Sequence, residues 1–214
     1  MKKGKINIRF MTELALLTAI TLIMAYTPLG YLRVGPLNAS FLTVPMGIGA
    51  ILMGPGAGAV LGLVFGLTSF GNALTGGSAM GAALLMASPA GYFVVSVVGR
   101  VLAGFFCGLV FRAARKVDKR GVVSYAVGAV SAPLLNTLFY MGFIVLLFFG
   151  CDYVQGLVAT TGAANPIAFV LALVGVQGLV EALICGAVGC IVSKAVDSAF
   201  TAKQKQAPAV SEAK

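Results

Sequence analysis

From residue 41 to residue 74 the chain runs without one charged side chain. A helix crosses a hydrocarbon core of ~30 Å with roughly 20 apolar residues. This block alone is therefore long enough for more than one crossing. Apolar runs at 11–26, 91–111, 122–149 and 166–192 accompany it. Hydrophobic residues make up 59% of the 214 and charged residues 10%, against roughly 25% charged in an average soluble domain. A water-soluble globule of this size has too small an interior to hide so much apolar surface. The composition excludes a soluble enzyme, a disordered chain and a nucleic-acid-binding domain. It places most of the chain in a bilayer.

Gly54-Pro55-Gly56 cuts the long block in two. Adjacent Gly and Pro make a tight turn, so the reading is a helical hairpin of 41–53 and 57–74, with a short first leg. Charge tests the count. Lys2, Lys3, Lys5 and Arg9 precede the first run. Arg112, Arg115, Lys116, Lys119 and Arg120 form one loop. Lys194, Lys203, Lys205 and Lys214 follow the last run. Positive residues flank spans on the cytoplasmic side, and six spans put all three clusters there. The sequence predicts an all-α membrane protein, a six-transmembrane-helix bundle with both termini cytoplasmic. Residues 1–200 form one membrane domain and 201–214 a polar, frayed cytoplasmic tail. The outer loops fall at 27–40, 75–90 and 150–165. The first apolar run is read as a span, not a signal peptide, because no Ala-x-Ala cleavage site follows it.

Lipid tails are as apolar as leucine, so spans associate by close packing and polar contacts. Small residues recur four apart in several runs: Gly54, Gly58, Gly62 and Gly66; Gly104 and Gly108; Gly178, Ala182 and Gly186; Ala15 and Ala19. These predict close helix contacts, within the bundle or with a partner.

Thirteen of the fifteen Lys and Arg lie in the three clusters, which leaves Arg33 and Arg100. Arg100 and Glu181 fall near the middle of their spans, where an ionisable group costs roughly 2.5–3.5 kcal/mol on insertion scales. Each belongs to a polar pair spaced by four: Ser96 and Arg100, Gln177 and Glu181. Asn136 with Tyr140 and Thr68 with Asn72 repeat the pattern. That spacing puts both members on one helical face. Four inward polar stripes predict either a self-satisfied network, with Arg100 paired to Glu181, or a polar cavity open to the outside for a small hydrophilic molecule. Arg33 and Asn38 are ordinary loop and turn residues, unless the first outer loop folds over an anionic ligand.

Other chemistries lack their residues. There is no histidine, the commonest base and metal ligand. Cys107, Cys151, Cys185 and Cys190 form no CxxC motif and read as packing residues. No nucleophile is paired with a base. The glycines at 54–58 lack the Gly-Lys-Ser/Thr ending of a phosphate loop. No cofactor is expected on this chain, and no metal.

Four segments resemble a known family: 45–70 (PMGIGAILMGPGAGAVLGLVFGLTSF), 99–111 (GRVLAGFFCGLVF), Leu135-Asn136-Thr137-Leu138 and 178–182 (GLVEA). With the Ala-xxx-Ala of Ala15 and Ala19, this ordered set is similar to the substrate-binding S components of energy-coupling factor (ECF) vitamin transporters. The likeness covers residues 8–197. It implies one vitamin-like molecule bound near the outer face under the first outer loop. It also implies a membrane coupling subunit docked on the Ala15/Ala19 face, and two cytoplasmic ATPases that use the ATP. The Arg–Asn–Glu set is most similar to the pantothenate-type branch. There, Arg100 or Arg33 would take the carboxylate, and Asn136, Tyr140 and Gln177 the hydroxyls and amide. Val44 stands where members of that branch often carry a histidine. The full candidate set is Arg33, Asn38, Asn72, Ser96, Arg100, Asn136, Tyr140, Gln177 and Glu181.

Overall fold

The structure is a computed structural model and describes residues 8–27, 30–34, 37–118 and 122–211. Among the described residues, nine α-helices and a two-stranded hairpin follow in order: α1 (Ile8–Ala25), β1 (Tyr31–Val34), β2 (Leu37–Ser40), α2 (Thr43–Met53), α3 (Pro55–Leu74), α4 (Ala79–Ala87), α5 (Pro89–Phe93), α6 (Gly99–Val117), α7 (Val122–Phe148), α8 (Asp152–Thr161) and α9 (Pro166–Ser211). A π-helical turn, Val94–Val98, joins α5 to α6, making one rod over Pro89–Val117.

Among the described residues, five helices are long and apolar enough to cross a membrane: Ile8–Ala25, Pro55–Leu74, Pro89–Val117, Val123–Phe148 and Gly178–Val196; the bent pair Asp152–Thr161 and Pro166–Gly175, taken as one span, makes six. Helix α2, at 11 residues, is about 16 Å long at 1.5 Å per residue, so the short leg of the expected hairpin is indeed short. The break beneath it is local chemistry. Gly54 sits at φ 97°, a conformation open to glycine, and Pro55 follows at the first position of α3, where its missing N–H costs nothing. A Cβ on Gly54 would lie 2.7 Å from Arg112 Nη2. The turn therefore stands level with the middle basic cluster, as the six-span reading requires.

The outer connections are more structured than loops. The expected 27–40 loop contains the β-hairpin, an addition to the all-helical reading. It is antiparallel, with Tyr31 opposite Ser40 and Arg33 opposite Asn38. Ser78 and Ser88 each cap a helix by accepting a backbone N–H three residues on, from Gly81 and Gly91, both at 3.2 Å. Gly162 ends α8 in the left-handed region, and α8 bends by 74° into the start of α9. Pro133 lies inside α7 without ending it. Helix α9 continues to Ser211, through the stretch read as the start of the tail.

The strongest packing runs α3–α6, α6–α7 and α7–α9, with α1 against α2 and α3. The glycine register of α3 faces inward. Gly58 meets the Gly104 carbonyl, Gly62 the Arg100 carbonyl, and Gly66 lies against Val97 and Ser96; a Cβ on Gly66 would sit 2.7 Å from Val97 Cα. Gly108 lies against Pro55 in the same way. Below and around this seam a buried cluster holds Met46, Leu61, Phe65, Ala103 and Cys107. An outer cluster holds Tyr92, Ile144, Phe148 and Phe169. Ala15 and Ala19, by contrast, are exposed on α1.

Candidate functional site

A polar cavity of about 60 Å³ lies at the end of the bundle opposite the contact between Gly54 and Arg112, the outer end by the charge rule. That is room for a few waters. The two opposed residues of the hairpin base, Tyr31 and Ser40, line it. Helix α3 adds Ser69 and Asn72, and the N-cap of α4 adds Ser78. Tyr92 enters from α5 and Arg100 from α6. Asn136, Thr137 and Tyr140 come from α7, and Glu181 from α9. Met80, Met141 and Val174 supply the apolar wall.

Arg100 is held firmly. Its guanidinium carbon lies 4.5 Å from the centre of the Phe65 ring and 4.7 Å from that of Tyr140, both within cation–π range. Nη1 donates to the Ser96 carbonyl at 3.0 Å. The π turn shapes this stretch: the Gly99 N–H reaches back five residues to the Val94 carbonyl. Such turns often sit at functional sites. The glycine seam sets the depth, because contact between Gly62 and the Arg100 backbone brings the arginine over Phe65.

The cavity is not self-satisfied. Arg100 Nε, Glu181 Oε1, Asn136 Oδ1, Tyr31 Oη and Ser40 Oγ are buried without a hydrogen-bond partner. Among the described residues, the one other such atom is Ser193 Oγ, which does not line the cavity. The hydroxyls of Thr68 and Ser69 come near Tyr31 Oη, but no bond of good geometry forms. Buried polar groups are almost always partnered. Five orphans around one space mark it as built for polar contact with something else. Arg100 and Glu181 make no ion pair within 4.0 Å, so the network alternative with that pair at its centre is not what forms.

The structure brings together Asn72, Arg100, Asn136, Tyr140 and Glu181 of the expected set. Ser96 stays out: its hydroxyl donates to the Tyr92 carbonyl at 2.8 Å, and only its backbone serves the site, through Arg100. Thr68 likewise turns its hydroxyl to the Phe65 carbonyl. The side chains of Arg33, Asn38 and Gln177 lie outside the described residues. Sequence reasoning missed Tyr31, Ser40, Ser69, Ser78, Tyr92 and Thr137. Ser69 is three residues from Asn72, also a same-face spacing, and was legible on that ground.

Residues 9–193 match the family model described as ECF transporter, substrate-specific component. The chain belongs to this family. No match is found among curated proteins. As an S component the chain is a multi-pass membrane protein of the plasma membrane and a transporter subunit, not an enzyme. It binds a small-molecule substrate and works with an ECF module of membrane and ATPase subunits.

Proposed function

We propose that the outer polar cavity is the substrate site of this S component, and that its cargo is a small water-soluble vitamin or precursor, pantothenate first among them. One observation carries the site: five orphaned polar atoms converge on one space. Pantothenate has one carboxylate, two hydroxyls and an amide. Arg100 forks onto the carboxylate, and Asn136, Tyr140 and Gln177 take the hydroxyls and amide. The hairpin bearing Tyr31 and Ser40 covers the site and moves to admit the ligand. ATP is used by the partner ATPases, and this chain supplies no cofactor. A purely structural role for the polar residues is the weaker reading, since a locking network would satisfy its own members.

The purified full chain in detergent tests this by thermal shift against a vitamin panel. Pantothenate raises Tm, and the rise grows with concentration as expected when only the native state binds. A shift with a different vitamin alone replaces the cargo and keeps the site. No shift with any compound, and no ATPase pair retained on purification from native membranes, would sink the receptor reading.

The exposed Ala15/Ala19 face is the proposed contact for the coupling subunit. Leucine at both positions leaves the ligand shift intact and removes the coupling subunit from pull-downs. Loss of ligand binding in that variant would instead place these alanines in the bundle's own packing.

A further inference from the structure

Two opposite formal charges face one cavity and do not meet. Arg100 and Glu181 are 6% and 5% exposed, line the same space and form no ion pair. Each keeps an orphan atom: a donor on Arg100, Nε, and an acceptor on Glu181, Oε1. A pair kept for bundle stability gains by closing, because a buried unpaired charge is costly. Here the closure is blocked on the arginine side. The stacking on Phe65 and Tyr140 and the bond to the Ser96 carbonyl fix the guanidinium. The cavity is thus electrically polarised, with a donor pole at α6 and an acceptor pole at α9. Asn136 Oδ1, a second orphan acceptor, stands on neighbouring α7.

We propose that this polarity sets the substrate class: one anionic group held by Arg100, and O–H or N–H donors at the other end held by Glu181. Glu181 is then the specificity residue, because its carboxylate repels any second anionic group. The inference rests on the cavity being the substrate site. It goes further by fixing the charge pattern and orientation of what binds, whatever vitamin that is.

Thermal shift and calorimetry on the full chain in detergent test it with probes sorted by charge. Pantothenate and biotin are single anions with donors. Folate and 4′-phosphopantothenate carry further anionic groups. Pantothenol and riboflavin are neutral, and thiamine is a cation. Binding falls within the first group. The dianions bind about 30-fold or more weakly, since a like charge placed against a buried one costs several kcal/mol. Glu181→Gln weakens the bound single anion by loss of the charge-assisted acceptor and, with the like charge removed, narrows the gap to its dianionic counterpart by about tenfold. Arg100→Gln removes the preference for anions over neutral analogues. Should that variant not give a monodisperse peak, Arg100→Lys keeps the charge, loses the fork, and weakens carboxylate binding.

Binding confined to neutral or cationic compounds overturns this inference and leaves the receptor reading standing. So does tight binding of a dianion, or a Glu181→Gln protein with unchanged discrimination. No shift from any charge class overturns this inference, and joined to the loss of the ATPase pair on purification it overturns the receptor reading too.

Discussion

The contact between α3 and α6 has two halves built on opposite principles. On the inner half Gly58 meets Gly104, Gly62 meets the Arg100 carbonyl and Gly108 meets Pro55. Apolar Leu61, Ala103 and Cys107 pack fully around them. On the outer half the same helices offer Ser69, Asn72 and the Arg100 side chain to a cavity whose polar atoms lack partners. The inner half satisfies itself through backbone proximity, the device open to helices in lipid, where no hydrophobic force draws them together. The outer half gives up that economy in exchange for recognition. Arg100 belongs to both: its carbonyl is on the seam, its guanidinium in the cavity. A rigid seam is what holds a charged side chain at one depth.

The comparison breaks first at Gly62. A Cβ there would lie 2.9 Å from the Arg100 carbonyl carbon and closer still to its oxygen, and backbone cannot swing aside as a side chain does. Overpacking costs about 1–3 kcal/mol where side chains can adjust, occasionally more. Gly62→Leu therefore yields little monodisperse protein on size exclusion. Gly71, on the same helix, has nothing within 4 Å of its would-be Cβ. Gly71→Ala keeps the wild-type profile, Tm and ligand shift. A Gly62→Leu protein that folds and binds normally would show that the seam is not what positions Arg100.

Most of the frame was legible, and what escaped did so for physical reasons. Charge parity gave six helices from five long runs, because lysines and arginines mark the cytoplasmic side whatever the packing. Gly54-Pro55 marked the hairpin turn because glycine admits the positive φ of a sharp turn and proline cannot continue the helix before it. Arg100, Asn136, Tyr140 and Glu181 announced themselves as polar groups in apolar runs, and the fold brings them together. Ser96 failed because a buried helical serine can satisfy its hydroxyl on its own backbone. Here the hydroxyl found a carbonyl on its own helix. Tyr31 and Ser40 escaped because four-residue strands have too little alternation to read. Their pairing across the strands, which puts both over the cavity, is a tertiary fact. The inward direction of the glycine register was likewise hidden, since spacing gives a face and not what the face meets.

A finer test separates stability from recognition within the outer half itself. Asn136 is 8% exposed, and its Oδ1 has no partner. A buried acceptor left unsatisfied costs about 1–3 kcal/mol, a cost that a ligand donor relieves. Asn136→Leu removes the orphan with a side chain of the same branching, its greater volume taken up by the adjoining cavity. The unliganded variant holds or raises its Tm, while the ligand-induced shift shrinks. Opposite signs from one substitution are the signature of a group kept for binding at the expense of stability. On the glycine seam no substitution behaves this way, because stability and geometry there fall together. If Asn136→Leu lowers the unliganded Tm, Asn136 supports the bundle, and the boundary between the two halves lies further out than the cavity floor.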